Sequence, residues 1–114
     1  MEKQENIMKM VKIKFEGEYL NGKRNGKGEE YDKYGHLIFE GEYLYGKRNG
    51  KGKEYYSEYM IFFLHIFYEG EYLNGEKNGK GKEYDEKGNL IFEGEYLNGK
   101  RWKGLLKNYY EDDC

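Results

Sequence analysis

The 114-residue chain contains no proline, alanine or threonine, and only one serine (Ser57), one valine (Val11) and one cysteine (Cys114). A single cysteine excludes an internal disulfide framework and fits a reducing compartment. Nucleophilic catalysis needs a serine, threonine or cysteine within reach of a base. Here Ser57 falls in an irregular stretch, Cys114 stands last, and the only histidines are His36 and His65. No triad is legible, so no enzyme activity, cofactor or small-molecule substrate is expected. A continuous apolar run of about 18 residues, the length a helix needs to cross a bilayer, is missing. Residues 1–14, MEKQENIMKMVKIK, lack the apolar centre of a secretory signal. The expectation is a soluble, cytoplasmic protein. A net charge of -2 and an isoelectric point near 5.8 give no global attraction to nucleic acid, so no such partner is expected.

Aromatic residues, glycine and repetition are abundant. With 37% charged residues and a mean hydropathy of -1.16, the chain would resemble a disordered one, but 14 tyrosines and 6 phenylalanines supply surface to bury. Such rings suit a sheet face better than a helical bundle. The phrase FEGEYLNGKRNGKG begins at Phe15, and close copies begin 24 residues on at Phe39, 29 further at Tyr68 and 24 further at Phe92. A repeated phrase marks a unit that cannot bury its apolar side alone and stacks on its neighbours to do so.

Within the phrase, Phe15, Gly17 and Tyr19 alternate with Glu16 and Glu18, the period of two of a strand with rings and glycine on one face and carboxylates on the other. Asn21-Gly22 follows, a strong hairpin signal because both residues tolerate the positive φ of a type I′ turn. Equivalent turns are expected at Tyr45-Gly46, Asn74-Gly75 and Asn98-Gly99. A plain two-residue turn would set Gly17 opposite Gly26, Phe15 opposite Gly28 and Glu16 opposite Lys27. YDKYGHLI and YDEKGNLI carry the Asp and Gly of a second turn type, so hairpin follows hairpin. The expected fold is all-β: an antiparallel meander of tandem hairpins whose core is a row of Phe15, Phe39, Tyr68 and Phe92 beside a row of Tyr19, Tyr43, Tyr72 and Tyr96. Glycine recurs too often for a helix inside the copies, leaving the first ten residues and the run after Gly104 as the only helical candidates. Gly17, Gly41, Gly70 and Gly94 are expected to be structural, each leaving bare backbone for a ring to cover.

The pattern aromatic-x-Gly-x-aromatic-x-x-Gly followed by Gly-x-Gly, as in FEGEYLNGKRNGKGKEYDEKGNLI, resembles the MORN repeat. The likeness covers residues 15–104: copies at 15–38, 39–67 (with an insertion at 57–67) and 68–91, and a partial one at 92–104, flanked by a lead-in at 1–14 and a tail at 105–114. Asn25, Asn49 and Asn78 stand where many family members carry His, and the fourth copy reads NGKRWKG, with Trp102 present and a glycine lost. The resemblance implies an elongated, twisted, single-layer antiparallel sheet and no catalysis, and with it a scaffold or adaptor for protein partners or self-association. Such repeats also occur in cytoskeletal proteins and as accessory regions of larger enzymes, lipid kinases among them.

Basic residues cluster after each Asn-Gly turn: Lys23, Arg24 and Lys27; Lys47, Arg48 and Lys51; Lys77 and Lys80; Lys100, Arg101 and Lys103, with Glu76 the one acid among them. Stacked hairpins would line these cations along one edge as a stripe for an acidic protein groove or for anionic lipid headgroups; the bland alternative is a set of solvated turn residues. The four Glu-Gly-Glu phrases place carboxylates two apart on one strand face, but their recurrence in every copy reads as a solvated face rather than acid–base chemistry. No metal ligand set has the required spacing. Gly-Lys-Gly leads into a strand, whereas a phosphate-binding P-loop needs Gly-Lys-Ser/Thr before a helix. The apolar run Met60 to Phe67 within the insertion is open to three readings: a strand capping the sheet, an exposed loop for a partner or membrane surface, or an accident of sequence. His65 in that run reads as a packed or edge residue rather than a ligand.

Overall fold

The structure is a computed structural model and describes residues 11–56 and 65–110. Among the described residues there is no helix, and eight strands follow one another: β1 (Phe15–Leu20), β2 (Lys23–Tyr31), β3 (Leu37–Leu44), β4 (Lys47–Tyr55), β5 (Ile66–Leu73), β6 (Glu76–Tyr84), β7 (Leu90–Leu97) and β8 (Lys100–Leu106). They pair in chain order into one antiparallel sheet, so β1 and β8 are its two edges. The turns within each copy have the expected geometry, with positive φ at both central residues: 53° and 76° at Asn21-Gly22, and 50° and 86° at Tyr45-Gly46.

The register departs from the plain two-residue expectation. Leu20 faces Lys23 and Tyr19 faces Arg24, but Gly17 then faces Gly28, Glu16 faces Glu29 and Phe15 faces Glu30. Two extra residues enter β2 opposite Glu18, and the same shift recurs between β3 and β4 and between β5 and β6. The backbone accommodates this bulge through Gly26, Gly50 and Gly79, whose φ values lie near 100°, a region that L side chains avoid. Period-two counting cannot see an insertion into one strand of a pair. The bulge brings every Gly-Gly pair into line, so Gly17, Gly28, Gly41, Gly52, Gly70, Gly81, Gly94 and Gly104 form one continuous row across the sheet.

That row is where the aromatic rings lie. A Cβ added to Gly28 would sit 2.5 Å from the Phe15 ring and 3.1 Å from that of Tyr43, and one on Gly17 would meet the Gly28 Cα at 2.6 Å. The core is Phe39, Tyr43, Tyr68, Tyr72, Phe92 and Tyr96, with Phe15 and Phe67 against it. Rings meet edge to face both within copies (Phe39–Tyr43, centroids 5.7 Å apart) and between them (Phe15–Tyr43 5.2 Å, Phe39–Tyr72 5.3 Å, Tyr68–Tyr96 5.1 Å). Each such pair contributes about 0.5–1.5 kcal/mol beyond area burial.

Between copies, Asp32 Oδ1 accepts from the N–H groups of Tyr34 and His36, and Asp85 Oδ1 does the same for Lys87 and Asn89, the Asp-anchored turns expected there. In the longer connection Tyr56 N–H donates to the His65 carbonyl, the counterpart of Asp32 to His36, so His65 leads into β5 in the middle of the sheet. Ile66 and Phe67 belong to β5, and Phe67 packs on Tyr56; the insertion is thereby shortened, and residues 57–64 with Met60 lie outside the described residues. The tail is corrected too: Gly104 to Leu106 continue β8 rather than start a helix, and Lys107 N–H still bonds the Ile91 carbonyl.

Candidate interaction surface

Alternation puts different chemistry on the two faces. On the aromatic face Arg24, Arg48, Lys77 and Arg101 lie over the rings of their own copies. The Arg24 and Arg48 guanidinium carbons are 4.0 and 3.9 Å from the centroids of Phe15 and Phe39, the Lys77 nitrogen is 4.5 Å from that of Tyr68, and the Arg101 carbon is 4.9 Å from that of Phe92. Each reaches the carboxylate of a Glu on its own strand or two strands back: Arg24 lies 3.9 Å from Glu30 on β2, Arg48 bonds Glu30 of β2 and Glu54 of its own β4 at 3.0 Å, Lys77 on β6 sits 3.3 Å from Glu54, and Arg101 on β8 bonds Glu83 of β6. Tyr43 donates its hydroxyl to Glu30. Burial opposes ionisation of Glu30, but bonds from Arg48 and Tyr43 and the charges of Arg48 and Arg24 hold its carboxyl below the ordinary value. Burial first, and the Glu30 carboxylate second, push the Tyr43 phenol up.

The opposite face is a shallow groove of about 840 Å³, open to solvent. Its floor is the backbone of the glycine row, and its sides are charged in alternation: Glu16 on β1, Glu40 and Glu42 on β3 and Glu69 and Glu71 on β5 confront Lys27 on β2, Lys51 and Lys53 on β4 and Lys80 on β6. The alternation continues through Lys82 and Glu93, 3.8 Å apart, and Glu95 and Lys103, 3.3 Å apart. Two positions break the rule, Leu105 opposite Glu93 at the β8 edge and Glu29 on β2. Glu29 stands where the next copies have Lys53 and Lys82, so Glu16, Glu29 and Glu40 are successive cross-strand neighbours. Tyr31 donates to Glu29 and Tyr55 to Glu40, which tempers the repulsion expected between like charges directly opposite.

The predicted basic residues therefore do not form one stripe. Arg24, Arg48, Lys77 and Arg101 go to the aromatic face and Lys27, Lys51 and Lys80 to the groove. Only Lys23, Lys47 and Lys100 remain exposed at the turn edge, with Glu76 in register among them. At the glycines of the sequence reading, a Cβ on Gly70 would meet the Lys80 carbonyl at 2.5 Å and the Gly81 Cα at 2.6 Å, so cross-strand backbone joins the ring as the obstacle, and Gly17, Gly41 and Gly94 meet the same kind of barrier. Among the described residues no group of three His, Cys, Asp or Glu is placed to hold a metal ion, and no helix is long and apolar enough to cross a membrane.

Sequence reasoning missed the asparagines of the bulge. Asn49 Oδ1 accepts from the Asn74 N–H of the next copy at 3.1 Å, Asn25 reaches Tyr45 and Asn78 reaches Asn98, both at 3.5 Å. Beside each, a turn glycine donates to the preceding copy: Gly46 to the Arg24 carbonyl, Gly75 to Arg48, Gly99 to Lys77. The signal was the recurrence of Asn at the fourth position after the turn Asn or Tyr. A family model described as MORN repeat matches residues 15–33, 39–60, 68–90 and 92–102. No curated protein matches the chain.

Proposed function

The chain belongs to the MORN-repeat family, and on that premise we propose that it is a non-catalytic, cytoplasmic scaffold that docks a segment of a protein partner along its glycine-floored groove. The observation that carries this reading is the groove itself: exposed backbone flanked by fixed columns of opposite charge, a pattern that aligns a segment by its charge sequence. A protein partner is favoured over an anionic lipid surface because the cations are dispersed. Those on the aromatic face are committed to Glu30, Glu54 and Glu83, and those in the groove alternate with carboxylates, so no face presents a net basic field to a membrane.

The test is selection of peptides from a displayed random library on the immobilised protein. Selected peptides are expected to bind Lys51→Glu/Lys80→Glu about tenfold or more weakly, because like charges then face each other along the groove. The turn-edge variant Lys23→Glu/Lys47→Glu should bind them as the parent does. Peptides indifferent to the groove variant would refute the reading. Salt-sensitive sedimentation with phosphatidylserine vesicles, retained by the groove variant and lost in the turn-edge variant, would favour lipid instead.

A further inference from the structure

We propose that the two edges of the sheet recognise each other, so that β8 of one copy of the chain pairs with β1 of a second copy, in the register by which each repeat already meets the next. The inference concerns the ends of the molecule and is independent of the groove's ligand. At the three internal junctions the same contacts recur. Gly28, Gly52 and Gly81 face Gly41, Gly70 and Gly94; Lys27, Lys51 and Lys80 face Glu42, Glu71 and Glu95. The ring of Phe15, Phe39 or Tyr68 takes the edge of the following tyrosine, which is thereby 3–5% exposed. Tyr19, which has no preceding copy, is 59% exposed.

The two edge strands hold the two halves of this junction. On β8, Gly104 is aligned with Gly94 and Lys103 stands in the Lys column; on β1, Gly17 and Glu18 stand in the Gly and Glu columns. Docking in the internal register sets Gly104 against Gly17 and Lys103 against Glu18 of the second copy, and brings Tyr19 to Phe92 and Arg101. Leu106 occupies the position of Glu30, Glu54 and Glu83, so it meets Phe15 of the second copy as an apolar contact. Trp102 replaces the clamp asparagine, and with Leu105 and Leu106 it is more than half exposed. Charge decides between the possible pairings. Joining two β8 edges would bring Lys103 and Arg101 to a second set of cations, and joining two β1 edges would bring Glu16 and Glu18 to a second pair of carboxylates; β8 with β1 continues the alternation of acid and base. Such a contact is heterologous and does not stop at two.

Sedimentation velocity from dilute to concentrated solution tests this. The parent is expected to form a concentration-dependent series extending beyond the dimer, with the emission of Trp102 moving to shorter wavelength as the series forms. Lys103→Glu and Glu18→Lys should each raise the concentration needed by about tenfold or more, since each sets like charges across the junction. An equimolar mixture should recover assembly, because either β8 then finds an opposite charge on the other variant's β1. Recovery on mixing also shows that both variants are folded. A strict monomer at high concentration, a dimer that Glu18→Lys leaves unchanged, or no recovery on mixing would overturn the proposal.

Discussion

Glu30 shows at the scale of one residue how a single-layer sheet keeps polar groups over its aromatic face. Its carboxylate takes Arg48 and Tyr43 at once, so the charge that caps one copy's ring is fixed by its predecessor. Because its pKa is lowered on folding, its contribution to stability is present above the unfolded carboxyl value and lost as pH falls through the folded one. Glu30→Gln should therefore flatten the acid limb of the stability–pH profile below about pH 4.5, measured by thermal unfolding across pH; an unchanged limb would contradict the assignment. Tyr45 is a cost of a different kind. It holds φ of 50° with its side chain 73% exposed, a conformation Asn adopts more readily. Tyr45→Asn should stabilise by about 0.5–1 kcal/mol in denaturant unfolding. Gly70→Val is expected to destabilise by about 3 kcal/mol, since its Cβ meets backbone that cannot rotate away; a neutral result would mean the row need not be glycine.

The hairpin was legible because period two, Asn-Gly and the repeat spacing all point to the same element. Its register was not, because the extra residues of β2 announce themselves only as one more Asn-Gly in a sequence full of glycine. The scatter of the basic residues is plain alternation: Arg24 and Lys27 stand three apart on β2, so the first goes to the rings and the second to the groove, whereas the expected stripe followed only their nearness to the turns. The clamp asparagines sit in the bulge and tie each hairpin to the next. Asn49→Ala should cost about 1 kcal/mol, the typical contribution of one hydrogen bond, and should lower the unfolding midpoint without changing the denaturant slope. A broadened or two-step transition would instead mean that this bond maintains cooperativity between copies.

Across the whole molecule the core is one row of phenylalanine and tyrosine over one row of glycine, and its chemistry sets an alkaline limit. Burial, then neighbouring carboxylates, raise the phenols of Tyr43, Tyr68 and Tyr72 above their ordinary value of 10.0. A raised folded pKa gives stability that is complete below the unfolded value and is lost as pH rises past it, so the unfolding temperature should begin to fall above about pH 10. The fold class and six of the eight expected core rings could be read from spacing alone; Phe15 only packs against the core, and Tyr19, on the edge strand, is exposed. The partner that each charge meets could not, because it depends on strand order and bulge together. The most direct measurement of the central claim is amide chemical-shift mapping of a selected peptide on the labelled protein. Shifts and protection are predicted along the groove, at Gly28, Gly41, Gly52 and Gly70 and at the flanking Lys51 and Lys80. Changes confined to the aromatic face around Arg24, Arg48 and Tyr72, with the groove unaffected, would contradict it.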